Sequence, residues 1–278
     1  MKLTFYDICP GVTAFSSTRH GGVSRGQYAE FNINHYCGDD ENNVAVNRQA
    51  LCEQLGIAPA QLVYPHQTHG TTVRQIGREF ISLPDNIRDM ILDGVDAVTT
   101  DVPQVCIGVS TADCIPILLA DSDHHAVAAI HAGWRGTVAR IVRATIESMM
   151  KSFGTQPENL KAVIGPGISE KNFEVGDEVY KAFAEAGFDM NEIAKRYPMM
   201  NRNSGNEDKK QPMRWHIDLW ECNKRQLLEC GLQDGNITVS GICTYDNVED
   251  YFSARRLGTA SGRIFTAIKV SSTRGCVK

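Results

Sequence analysis

The feature that most constrains this chain is a pair of apolar runs, Ile115–Ala120 and Ala126–Ile130, set either side of a short polar stretch that begins Asp121-Ser122-Asp123-His124. Two aliphatic runs around such a turn specify a β-hairpin, and hairpin register decides which residues face each other. With Ser122-Asp123 as a two-residue loop, Asp121 pairs with His124, and the register carried outward sets Cys114 directly opposite His131. A four-residue loop closing between Ala120 and His125 gives the same pairing. Directly opposed residues have Cβ atoms about 4.5–5.5 Å apart. A thiolate and an imidazole at that separation can share a metal or form a thiolate–imidazolium pair.

The surroundings of the pair favour chemistry over core packing. Asp113 adjoins Cys114, and Gly133 and Gly136 bracket Trp134-Arg135 before a helix begins. Polar and glycine-rich strand ends are poor core material and good site material. Upstream, Tyr64-Pro65-His66-Gln67-Thr68-His69-Gly70 offers two further imidazoles three residues apart, one of which can be a surface residue. Two histidines and one cysteine leave a fourth coordination position open, which is the arrangement of a catalytic rather than a structural zinc. Arg135, at a helix start, is placed to hold an anion such as phosphate. The loops Ser17–Gly22 and Gly165–Ile168 and the arginines of Ser253-Ala254-Arg255-Arg256 read individually as turns or solvated charges.

Around this stretch the pattern alternates. Helices are predicted over Asn42–Leu55, Thr137–Phe153, Val175–Ala186 and Asp218–Cys230, each followed by glycine. Strands are predicted at Ala97–Thr100, Val105–Val109, Ile115–Ala120, Ala126–Ile130, Ala162–Ile164, Thr238–Cys243 and Phe265–Val270. Interleaved strands and helices define a mixed α/β class, and no internal repeat divides it. The one break in composition is 199–214, MMNRNSGNEDKKQPMR, which reads as a polar loop or flap within a single domain spanning 1–278.

Composition then removes whole classes. Lys plus Arg number 28 against 33 Asp plus Glu, a net charge of −5, so there is no overall basic surface for nucleic acid. The start, MKLTFYDICPGV, lacks the apolar core of a secretory signal, and no run approaches the ~18 apolar residues of a membrane span. A cytoplasmic location is expected. Nine cysteines at scattered spacings include no C-x-x-C pair, which speaks against a disulfide framework or a cysteine-rich zinc knuckle. Most are expected to be buried small hydrophobes.

The order of motifs adds a resemblance. S-T-R-x-G-G-V-S at 17–24, F-N-I at 31–33, G-D-D at 38–40, N-R at 47–48, H-G at 69–70 and D-G-V-D-A at 93–97 come first. T-A-D-C at 111–114, H-A-G-W-R-G at 131–136, G-P-G-I at 165–168 and S-x-R-R…G-R from Ser253 to Arg263 follow. Together they resemble the YfiH/laccase-domain family, once called polyphenol oxidases and now described as purine nucleoside phosphorylases. The resemblance runs from about residue 14 to about residue 270. It implies a single mixed α/β (α+β) domain of layered sheets flanked by helices, with the cytotoxic-necrotizing-factor-like cysteine hydrolase fold. It also implies a zinc held by His69, Cys114 and His131, with adventitious copper possible at the same ligands. Asn32, Arg48, Asp93 and Arg135 are implied near the pocket. The chain departs from the family by carrying Leu257-Gly258 and Ser261-Gly262 where many members have Asp-Gly and Thr-Gly.

The implied activities are phosphorolysis of adenosine, inosine, guanosine and methylthioadenosine, together with adenosine deamination. The implied partners are a purine nucleoside and phosphate, with the chain a monomer or homodimer. The zinc-deaminase signature of H-x-E with P-C-x-x-C is missing, so any deamination uses another site design. A metal-free alternative makes Cys114 a nucleophile and His131 its base, as in a hydrolase or amidase editing peptidoglycan precursors. A copper-dependent polyphenol oxidase is the weaker reading, because the eight histidines form no H-x-H pair.

Overall fold

The computed structural model, which describes residues 1–199 and 212–271, contains the hairpin but in a different register. Asp121 pairs with Ala126 and Pro116 with His131, so the loop is the four residues 122–125 and the pairing is displaced by two from the expected one. The cause is Asp121 itself. Its Oδ1 accepts from the backbone N–H of Asp123 and of His124, and its Oδ2 meets His124 Nδ1 at 2.9 Å. The carboxylate organises the turn as a side-chain-capped loop, so Asp121 ends the strand instead of His124 beginning the next. A two-residue slip keeps every side chain on its own face, so Cys114 and His131 stay on one side as diagonal rather than opposed neighbours.

In chain order the strands begin β1 (Leu3–Tyr6), β2 (Val12–Ser17), β3 (Leu62–Val63), β4 (Val73–Gln75), β5 (Ala97–Thr100), β6 (Cys106–Thr111) and β7 (Ile115–Asp121). They continue with β8 (Ala126–Ala132), β9 (Lys161–Ile164), β10 (Glu174–Val175), β11 (Ala194–Pro198), β12 (Met213–Ile217), β13 (Ile237–Val239) and β14 (Ile264–Val270). The helices are α1 (Glu41–Leu55), α2 (Arg78–Ile81), α3 (Asp85–Leu92), α4 (Trp134–Val138), α5 (Ile141–Phe153), α6 (Asp177–Glu185), α7 (Met190–Ile193), α8 (Leu219–Glu229) and α9 (Ala254–Leu257).

One sheet runs β13-β9-β7-β8-β5-β4, a second β1-β2-β14-β6-β3, and a small third β10-β12-β11. Strand alternation sorts the core into layers. Leu118 and Ala120 of β7, with Val127 and Ala129 of β8, meet Val109 of β6 and Ile268 of β14 between the two large sheets. The opposite faces of β7 and β8 bury Ile117, Leu119, Ala128 and Ile130 under α5, α6 and α8. Beyond the other sheet, Phe15, Phe265 and Ala267 pack on Leu51 and Cys52 of α1. The result is a helix–sheet–sheet–helix stack in a single mixed α/β domain, as expected.

Several boundaries differ from the sequence reading. The helix expected over 137–153 is two, because Arg140 adopts a left-handed conformation (φ 64°) between α4 and α5. Val175 belongs to β10, and α6 starts only after Gly176. The strand expected to run to Cys243 stops at Val239. β1, β2 and the β10–β12 sheet escaped the sequence reading. For the flap reading of 199–214, residues 200–211 lie outside the described residues; β11 and β12 on either side form a hairpin closed by a Met199 N–H to Pro212 carbonyl bond of 2.8 Å. Among the described residues no helix is long and apolar enough to cross a membrane.

Candidate metal centre and active site

His131 lies near the end of β8, and alternation puts it with Val127 and Ala129 on the face between the sheets. Cys114 precedes β7 at the same end. His69 arrives from the loop before β4. Sγ of Cys114 and one ring nitrogen from each of His69 and His131 all lie within 4.8 Å of one another. The two imidazole centroids are 4.8 Å apart and nearly perpendicular, at 75°. The spacing, and the mix of one sulfur with two nitrogens, suit a tetrahedral divalent ion with one position left for substrate. The three groups line a cavity of about 330 Å³.

Asp96 holds this constellation together, and the sequence reading did not single it out. It is fully buried just ahead of β5. Its Oδ1 accepts from His131 Nδ1 at 2.8 Å and from the His69 N–H at 2.9 Å. Its Oδ2 accepts from the N–H of Gly70 at 2.7 Å and of Thr68 at 3.3 Å. One carboxylate therefore fixes the His131 tautomer, leaving Nε2 for the cavity, and clamps the backbone of the other histidine. Burial alone would raise the Asp96 carboxyl, but the His131 hydrogen bond and charge, with the Gly70 and His69 amides, bring it below the usual carboxylate value. The available signal was the second aspartate of D-G-V-D-A, a charge immediately before an apolar strand that needs a buried partner.

Backbone strain gathers here. His69 (φ 64°) and Asp113 (φ 86°) are both left-handed without being glycine. Asp113 is held by Thr244 Oγ1 at 2.7 Å and by the Arg255 N–H at 2.6 Å, which fixes the approach to Cys114. Gly133 is needed for space rather than torsion. A Cβ there would lie 2.8 Å from His69 Cδ2 and 3.1 Å from Cys114 Sγ.

Electrostatics single out one thiol. Burial pushes Cys114 up, but the charge and hydrogen bond of His131, then those of His69, outweigh it and leave the thiol at about 6. Burial likewise lowers His131, while the Cys114 thiolate and Asp96 lift it to about 9. The eight cysteines among the described residues are all free, and burial raises Cys9, Cys37, Cys52, Cys106, Cys222 and Cys230. In metal-free protein the thiolate therefore exists above about pH 6 and is lost below it. Iodoacetamide at neutral pH should label Cys114 ahead of the other thiols, with a rate midpoint near pH 6 by mass spectrometry. Labelling that starts at the core cysteines would contradict this.

The other candidate residues are distributed unevenly. His66 lines the cavity, stacked on Tyr36 with centroids 4.2 Å apart. Asp93 reaches the cavity only through His66, meeting its Nδ1 at 2.7 Å. Asn32 is buried, and its amide is spent on Asn34, Cys37 and Asp39. Arg48 faces a neighbouring cavity of about 570 Å³ with His35, Arg88 and Asp89. Arg135 is exposed and stacks on Trp134, its Cζ 4.2 Å from the ring centroid. Arg263, Ser110 and Thr111 line the cavity of the His69–Cys114–His131 cluster; Arg263 and Thr111 stood in the quoted motifs without a site role, and Ser110 was not picked out beforehand.

A two-sheet α/β stack carrying a thiol and two imidazoles at the sheet ends defines the class of domain. The family described as multi-copper polyphenol oxidoreductase laccase matches residues 13–271, and the chain belongs to it. A purine nucleoside phosphorylase of Bacteroides thetaiotaomicron is 46% identical over 93% of this chain and 92% of its own length. Adenosine deaminase RL5, from an unknown prokaryotic organism, is 41% identical over 96% of this chain and 97% of its own. Among solved structures, YlmD of Geobacillus stearothermophilus is similar at a TM-score of 0.80 and 28% identity, covering 95% of this chain and 93% of that one. The YfiH protein of Bacillus licheniformis shares the fold at a TM-score of 0.82 and 24% identity, covering 96% and 99%.

Proposed function

We propose that this chain is a zinc-dependent purine nucleoside phosphorylase, acting on adenosine, inosine, guanosine and methylthioadenosine, that also deaminates adenosine. The observation that carries the reading is the convergence of Cys114 Sγ and the two imidazoles on one cavity. Near-full-length similarity to proteins named for both activities supports it. The donor set fits the metal, with one low-lying thiol, one imidazole whose second nitrogen is engaged by Asp96, and a backbone that leaves room at Gly133. Zinc bound there supplies a Lewis acid next to the substrate; copper can occupy the same nitrogen and sulfur ligands.

The remaining work falls to the chain's own residues. A cavity of about 330 Å³ is within the range of small-ligand sites. The Tyr36–His66 stack offers an aromatic wall for a purine ring. Asp93 engages Nδ1 of His66, which leaves Nε2 to hold or deliver a proton at the departing base. The free thiols among the described residues support a reducing, cytoplasmic setting.

The test is adenosine incubated with and without inorganic phosphate, followed for adenine, ribose-1-phosphate and inosine. Base release that needs phosphate, with ribose-1-phosphate formed in equal amount, is the expected result. Inosine as the sole product would reduce the activity to deamination. One observation favours a second reading: Asp96, His131 and Cys114 also form a carboxylate–imidazole–thiolate chain suited to a metal-free hydrolase. Metal analysis separates the two, with about one zinc per chain expected on the leading reading.

A further inference from the structure

The cavity wall has a charge asymmetry that the metal ligands do not explain. Among the described residues that line it there is one guanidinium, Arg263, and no carboxylate. Arg263 makes no ion pair there. It is held by backbone carbonyls instead: Nη1 donates to Ser261 and Gly262, and Nη2 to Thr259 at 2.9 Å. Carbonyls fix the position of the fork without cancelling its charge. Its backbone N–H donates to Asn32 Oδ1 at 3.1 Å, which ties the turn to the buried Asn32 network.

The same wall contains an unsatisfied hydroxyl. Ser110 (5% exposed) lines the cavity and pairs with Phe265, on the face of the sheet that Arg263 shares, whereas its neighbour Thr111 points to the opposite face. Ser110 Oγ has no hydrogen-bond partner. Buried hydroxyls are rarely left unpaired unless a ligand or water completes them. A fixed guanidinium held by carbonyls, with a spare hydroxyl donor beside it, is what a tetrahedral oxyanion needs. The alternatives are worse placed. Arg135 is exposed on Trp134, and Arg48 shares its cavity with Glu41, Asp85 and Asp89.

We propose that Arg263, with Ser110, forms the subsite for the inorganic phosphate co-substrate, in the cavity that also holds the His69–Cys114–His131 cluster. This rests on the phosphorylase reading for its purpose but not for its binding chemistry. Held there, a phosphate oxygen can attack C1′ of the ribose. The C1′–O bond forms as the C1′–N9 bond breaks, and the electron pair leaves with the purine, which takes up a proton. No oxidant or further reactant is required.

The experiment compares wild type with Arg263→Gln and Arg263→Lys, all zinc-loaded. Loss of a charge-assisted fork should raise the KM for phosphate about 10- to 100-fold in the Gln variant, and less in Lys. KM for the nucleoside and zinc content should stay within about twofold. Binding of inorganic phosphate is measured in parallel by calorimetry, without nucleoside, and should weaken in the same order. An unchanged phosphate KM in a folded Gln variant overturns the subsite, as does an equal rise in both KM values. If the Gln variant does not fold, the Lys variant decides by the same split. Should wild type release no purine at all, the phosphorylase reading fails, and calorimetry still decides whether phosphate binds at Arg263.

Discussion

Replacing Cys114 with alanine should reduce zinc from about one ion per chain to a small fraction and lower base release by about 10³-fold or more. The expectation follows from the donor set. Two imidazoles alone make a weak divalent site, and among the described residues Cys114 is the cysteine that groups with both. Among the described residues it is also the thiol whose surroundings favour the anion, with His131 as its main partner. Cys106→Ala, in the fully buried core, should by contrast lose stability while keeping its zinc. Elemental analysis of chelator-free preparations and the phosphate-dependent assay read both quantities. A Cys114→Ala protein with full metal and full activity would remove the thiol from the site in either of its readings. Full metal with lost activity would shift the weight to the nucleophile.

Asp96→Asn has the second largest expected effect, and it acts through the hydrogen bonds that Asp96 makes with His131 and His69 while leaving every candidate ligand in place. An amide matches the carboxylate in shape but has one acceptor oxygen. Four donors, from His131, His69, Gly70 and Thr68, converge on Asp96. Whichever way Asn turns, its NH2 faces N–H donors, and the buried cation-capable His131 loses its counter-charge. Breaking a buried, hydrogen-bonded pair costs about 3–5 kcal/mol, and loss of an outer-sphere carboxylate weakens metal affinity about 10- to 100-fold. Chelator competition and denaturant titration should show both. Stability and zinc affinity equal to wild type would mean that the constellation is held by something other than this carboxylate.

How much of this could be read beforehand depends on the range over which the physics acts. The apolar runs of β7 and β8 and the stripe of α5 are local patterns, so their existence was legible. The register was not, because it turns on Asp121 folding back onto the amides of residues 123 and 124. That choice is made by one side chain. β1 and β2 were missed because LTFY and VTAFSS are short and half-polar, and they become strands only by pairing with each other and with β14. The juxtaposition of Cys114 with His131 followed from face parity, which survives a two-residue slip. The sequence offered His66 and His69 alike as the further ligand, and the family resemblance selected His69, since no local rule carries a loop across to Asp96. Arg135 drew notice at a helix start and Arg48 through the resemblance, whereas the cavity is lined by Arg263, from the turn before β14, a residue that stood in a quoted motif without a role. A guanidinium several ångströms long reaches where its loop points, and loop direction is not written in periodicity.

The hairpin has a consequence for how such a chain can vary over time. Cys114 and His131 sit at its open end, and seven residues of antiparallel strand, at about 3.4 Å each, carry the opposite tip more than about 20 Å away. Asp121 caps that tip, and Asn159 Nδ2 donates to Asp123 Oδ2 at 2.9 Å from outside the hairpin. Changes of loop length there leave the ligand geometry alone, so reactivity and this part of the outline can be selected independently, and a graft or tag at residues 122–125 is a route to altering one without the other.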